Sequence, residues 1–265
     1  MTSDTMPFTV TQGRRTAGMQ PRRRGPVSTT QEIDKHVRDR HASPLVGWGL
    51  LAGGALFFVG GSMHPKEDPP DVTVLEHLRI MFENPAWYPS HGVLLVGMVL
   101  LAVSLIALVR GGTLGRVRSA HVAGAIAAVA AVVGSLDMLL HLAAASEADK
   151  IAAQDPTPIT NVHVVLQTFA VPFFGCSVAA LAVVGAWSGT LGSRVIAVLG
   201  AAGGVGYGLA GGTVLFTDRL NFLFPFASGI GVWAFAAGIG LLIRRRATRP
   251  GDQRPMTATE RALVS

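Results

Sequence analysis

Charge and reactive chemistry are both scarce in this chain. Of its 265 residues only 14% are Asp, Glu, Lys or Arg, and it has one cysteine, Cys176. A single cysteine excludes an internal disulfide framework, and without a C-x-x-C there is neither a thiol redox motif nor a zinc ribbon. G-x-x-x-x-G-K, H-E-x-x-H, G-x-S-x-G and the N-x-S/T sequon are all missing, so the common motif-borne chemistries of soluble enzymes have no support. What is abundant is apolar: 49% of residues are hydrophobic and the mean hydropathy is +0.44, the balance of a membrane protein. The net charge of +6 is no nucleic-acid signal, because residues 1–43 hold 8 Lys/Arg against 4 Asp/Glu, residues 244–265 hold 6 against 2, and the stretch between holds 8 against 10.

A hydrocarbon core of about 30 Å needs about 20 apolar residues of helix. Six uncharged or nearly uncharged stretches satisfy this: Leu45 to Ser62, Tyr88 to Val109, Ser119 to Ala145, Asn161 to Trp187, Val195 to Phe216 and Asn221 to Ile243. Lipid offers no partner to a free backbone N–H or C=O, and none of the stretches alternates as a barrel strand does, so each is expected to be a helix. The fold expected is all-α, a polytopic six-transmembrane-helix bundle over residues 44–243, flanked by disordered basic tails at 1–43 and 244–265. With the amino terminus inside, 18 Lys/Arg flank the inner side and only Lys66, Arg79, Lys150 and Arg219 the outer. The positive-inside rule then makes this a multi-pass cell-membrane protein with both termini cytoplasmic, its first span an uncleaved anchor.

The tail arginines, Arg22 to Arg24 and Arg244 to Arg246 among them, suffice to fix that topology; contact with anionic lipid is the functional alternative. The lipid bilayer is the expected partner and nucleic acid is not. Trp87, Tyr88 and Trp187 stand where an interfacial aromatic belt is expected. In the first outer loop, Thr73 and Glu76 match a capping box, and Val74, Leu75, Leu78, Met81 and Phe82 share a face at helical spacing, predicting a short amphipathic helix. The link over 146–160 carries no recognisable chemistry. Gly206, Gly208 and Gly211 satisfy G-x-G-x-x-G, but in an apolar span with no preceding strand they cannot cradle a dinucleotide. Gly200, Gly204, Gly208 and Gly212 instead form a smooth stripe for close helix packing, at the centre of the bundle or in a homo-oligomer.

Ionisable groups inside a bilayer are costly and therefore informative. Asp137 is the only Asp, Glu, Lys or Arg inside any span, and His141 follows it by one helical turn. A carboxylate so placed can hold one imidazole N–H and leave the other nitrogen for a metal or a proton. His64 ends the first span, His91 begins the second, His141 nearly ends the third and His163 begins the fourth, all near one depth on the outer side. The first and second pairs of spans thus repeat one pattern, suggesting two related helical hairpins and a third divergent one. His36, His41, His77 and His121 fall elsewhere and are set aside. Facing helices can build a metal or haem site from such residues: His64, His91, His141 and His163 as ligands, Asp137 as catalytic base, proton carrier or ligand, and zinc, copper (with Met63 beside His64) or haem b as cofactor.

Ser90-His91 and Asp137 invite comparison with the seven-helix zinc hydrolases of the ceramidase and adiponectin-receptor type, but there is no seventh span and no histidine pair in the last two. Six-helix ascorbate cytochromes of the b561 type bind haem on both membrane sides, where only His121 is available here. Neither family is matched. Three functions follow as expectations: a redox subunit or hydrolase built on the histidines, a small proton-coupled transporter, or a non-catalytic scaffold.

Overall fold

The computed structural model describes residues 44–65, 72–217 and 219–247. The expected disorder and lipid contacts of the tails therefore lie outside the described residues, except at Arg244 to Arg246. Among the described residues every regular element is helical: α1 (Pro44–Met63), α2 (Val74–Glu83), α3 (Trp87–Arg110), α4 (Arg118–Ala144), α5 (Ala148–Ala152), α6 (Pro158–Trp187), α7 (Arg194–Thr213) and α8 (Ser228–Ala247), with 3-10 turns at Ala145–Glu147 and Asn221–Ala227. Six helical stretches are long and apolar enough to cross a membrane. The chain has the architecture of a multi-pass membrane protein. Exposed Val103, Val129, Leu136, Val165, Phe169 and Val198 turn outward, as surfaces wetted by lipid rather than water.

The six spans form a closed ring. α1 packs on α3, α3 on α4, α4 on α6, α6 on α7, α7 on α8, and α8 returns to α1. The last span does not begin as a regular helix at Asn221, because Pro225 lies in a 3-10 turn and α8 starts at Ser228. Proline has no N–H to give to an α-helical ladder, which favours the irregular start. At its other end α8 runs through Ala247, so Arg244 to Arg246 are its last turn rather than part of a tail.

The glycine stripe of α7 is used inside the chain. A Cβ on Gly204 would strike the carbonyl oxygen of Gly175 on α6 and one on Gly212 would meet Pro172, while Gly200 faces Trp233 and Ala182. The stripe thus serves close approach to α6 and α8.

The amphipathic helix of the first outer loop is α2. Thr73 Oγ1 accepts from the Glu76 N–H at 3.2 Å, but the reciprocal half of the expected capping box is missing, since the Glu76 carboxylate is taken by Arg79 at 2.7 Å and 3.0 Å. Its apolar face does more than lie on a membrane surface: Leu78, Met81 and Phe82 are buried against Trp87, Ala144, Ala145, Ile151 and Val164. The 146–160 link seals the same end of the bundle. Buried Glu147 accepts from the Thr160 N–H at 2.8 Å and its hydroxyl at 3.0 Å, anchoring the first turn of α6.

Candidate functional site

Beneath this cap the four histidines meet. Two close helix contacts bring them there. Gly60 on α1 lies so near α3 that a Cβ would come within 2.8 Å of the Leu94 nitrogen and 2.9 Å of the Ser90 oxygen, and Gly97 on α3 is similarly close to the Phe57 nitrogen. α1 therefore delivers His64 against His91, with ring centroids 4.8 Å apart. His91 lies 4.8 Å from His141, and His141 4.1 Å from His163. The order of the rings, α1, α3, α4, α6, is the order of the helices around the bundle. Three of the four are buried, and His64 is partly buried.

Three of the four rings are oriented by an oxygen. The His64 Nδ1–H donates to the Pro65 carbonyl at 2.7 Å, the His91 Nδ1–H to the Trp87 carbonyl at 2.8 Å, and the His163 Nδ1–H to Asp137 Oδ1 at 3.0 Å. A carbonyl oxygen can only accept, so the proton of neutral His64 and His91 is on Nδ1 and the lone pair on Nε2. An ionised Asp137 fixes His163 in the same way. The Ser90 hydroxyl also donates to the Trp87 carbonyl at 3.0 Å and lies 3.1 Å from His91 Nδ1. His141 differs: its Nδ1 meets Nε2 of His163. Among the described residues, Nε2 of His64 and of His91 has no hydrogen-bond partner, and no group of three or more His, Cys, Asp or Glu stands in ready metal-holding geometry. Burial pushes the His64 imidazole below its ordinary value; the Pro65 carbonyl opposes this and His77 on α2 adds to it.

Two sequence expectations change. Asp137 is paired across helices with His163 instead of with His141 one turn along, because both Asp137 and His141 face α6, where His163 presents its ring edge to each. Trp87 is no belt residue. It is fully buried, stacked on His91 at 3.7 Å and 29°, and 4.6 Å from His141, whereas Tyr88 and Trp187 are exposed as expected. Sequence reasoning also passed over Tyr207 of α7, which stands edge-on to Phe57. One of only two tyrosines, and placed mid-span, it carried a signal that was available. His121, set aside, bonds through Nε2 to the Gly115 carbonyl at 2.8 Å at the opposite end of α4.

Comparison with protein families, curated proteins and solved structures finds no match.

Proposed function

We propose that this chain is a membrane metalloprotein in which His64, His91, His141 and His163 hold one transition-metal ion at the outer end of the bundle, with Asp137 fixing His163 from behind. The observation that carries this reading is the direction of the rings: His64, His91 and His163 spend Nδ1 on an oxygen, and His64 and His91 keep Nε2 without a partner among the described residues, the arrangement that metal-ligating histidines use. Two imidazoles on one tetrahedral ion with metal–nitrogen distances of about 2.0–2.1 Å have centroids about 5 Å apart; His64–His91 and His91–His141 are each 4.8 Å apart, and His141–His163 is closer, at 4.1 Å. The contact between His141 and His163 opens on binding. Haem b would need two axial imidazoles with centroids about 6 Å apart or more, wider than any neighbouring pair here. An all-imidazole set backed by a carboxylate suits zinc or copper(II); Met63 is 43% exposed, which speaks against thioether ligation.

The residues divide the work. Asp137 retains the proton on His163 Nδ1 and offsets positive charge. Trp87 and Phe82 cover His91 and His141, and His64 is the least buried of the four rings. A bound ion would supply Lewis acidity or, if redox-active, an electron. The distribution of Lys and Arg supports a cell-membrane orientation with both termini cytoplasmic and the histidines outside. A second reading has its own support: Asp137, His163 and His141 form a continuous hydrogen-bonded chain, which is also a proton path.

Metal analysis and a visible spectrum of the detergent-purified full chain test the proposal. About one equivalent of zinc or copper, without a Soret band, is expected in the wild type and lost in His163→Ala and His141→Ala. Metal content no higher in wild type than in both variants overturns it, and a proton-transport defect in those variants would then favour the proton path.

A further inference from the structure

At the opposite end of the bundle, where α1 begins and α8 ends, these two helices are drawn together by two glycines. A Cβ on Gly47 would lie 2.8 Å from the Leu242 side chain, and one on Gly238 would lie 2.6 Å from the Gly47 oxygen and the Leu51 nitrogen. Beside this tight crossing the larger side chains leave a groove of about 330 Å³ lined by Trp48, Ile239, Leu242, Ile243, Arg245 and Arg246. Its walls are apolar and one rim is cationic. Trp48 and Ile243 are 57% and 61% exposed on the outer face of the ring, so the groove opens toward lipid.

The three consecutive arginines do not share one task. Successive helical residues point about 100° apart, and Arg244 turns away to donate from Nη1 to the carbonyls of Gly189 and Thr190 at 3.0 Å and 3.3 Å, tying α8 to the turn between α6 and α7. Arg245 and Arg246 flank the groove. If these arginines only fixed topology, their placement around the helix would not matter, since the positive-inside rule counts charges within reach of the interface and not their facing.

We infer that this groove seats one anionic phospholipid, an acyl chain lying along Trp48, Ile239, Leu242 and Ile243 and the phosphodiester headgroup held by Arg245 and Arg246. The apolar floor and the cationic rim match the two halves of such a molecule in their order along the membrane normal. Guanidinium forks bind phosphate oxygens in pairs. A zwitterionic headgroup carries a compensating cation that two arginines repel, so the site discriminates by net charge. A juxtamembrane arginine favours an anionic lipid about fivefold, so two amount to on the order of tenfold to thirtyfold.

The full chain, reconstituted in equal phosphatidylglycerol and phosphatidylcholine and then extracted in mild detergent, is assayed for co-purifying lipid by mass spectrometry. Phosphatidylglycerol is expected to be enriched about tenfold or more in the wild type, less than twofold in Arg245→Gln/Arg246→Gln, and still clearly in Arg245→Lys/Arg246→Lys, which keeps the charge. Arg110→Gln/Arg116→Gln removes equal charge at the same end away from the groove and should leave the enrichment intact. Equal retention of both lipids by the wild type, or an equal loss in the Arg110/Arg116 pair, overturns the assignment. Metal content plays no part in this readout, so the groove and the histidine site stand or fall separately.

Discussion

Asp137 offers the sharpest test of how the histidine site works, because two substitutions separate its hydrogen bond from its charge. Asp137 is 5% exposed and its Oδ1 takes the His163 Nδ1–H at 3.0 Å. Asn keeps an acceptor at that place and loses the charge. Leu is of similar size and loses both, leaving a buried Nδ1–H unpaired at a cost of about 1–3 kcal/mol. Groups that orient a metal-bound imidazole from behind are worth about 10–100-fold in metal affinity, and a charged acceptor makes a hydrogen bond roughly twice as strong as a neutral one.

Asp137→Asn should therefore weaken zinc or copper binding about tenfold, or about 1.4 kcal/mol, while the metal-free fold loses little. It sheds a carboxylate that is expensive inside a bilayer and keeps the bond to His163. Asp137→Leu should weaken binding toward a hundredfold and also lower the metal-free melting temperature. Chelator competition in nanodiscs gives the affinities, and thermal unfolding of metal-stripped protein gives the stabilities. A metal affinity unchanged in both variants would refute the assignment of Asp137 as the group behind a ligand, and a large stability loss in Asp137→Asn would show a purely structural pair.

Gly204→Ala should lower the yield of monodisperse protein in fluorescence-detected size-exclusion chromatography and cost about 1–3 kcal/mol, since the added methyl meets the Gly175 backbone and Ala179; unchanged melting would refute the in-chain role of the stripe. Trp87→Phe should leave stability nearly unchanged, because the buried Trp87 Nε1 has no hydrogen-bond partner and phenylalanine keeps an aromatic face on His91; a loss beyond about 3 kcal/mol would mean that this N–H is used. Thr160→Val removes one of the two Thr160 bonds to buried Glu147 and should cost about 1–3 kcal/mol, read as faster hydrogen exchange in the first turns of α6.

The spans were legible because lipid acts as a uniform solvent: length and apolarity alone decide whether a helix can cross, and no partner need be known. The depth of the four histidines was legible for the same reason, since position along a span is position along the membrane normal. Their partners were not. Periodicity puts Asp137 and His141 on one face of α4, and that is correct, but sharing a face decides only which neighbour they both see. The neighbour is α6, and the ring of helices that puts α6 there depends on glycine contacts such as Gly175 with Gly204 and Gly60 with α3, whose pairing one sequence does not disclose.

Trp87 shows the same limit from another direction. A tryptophan at the first residue of a span satisfies the statistics of the interface, and what removes it from the interface is α2, an element outside the spans. Leu78, Met81 and Phe82 were read as an apolar face without a destination, and the link at 146–160 as empty of chemistry; together they bury Trp87 and close one end of the bundle. In a membrane protein the connections lie in water or at the interface, where the solvent again allows many solutions, so the cap over the site had to be seen. Under that cap His91 and His141 are enclosed with Trp87 and Phe82, and His64 and His91 keep an Nε2 with no partner among the described residues.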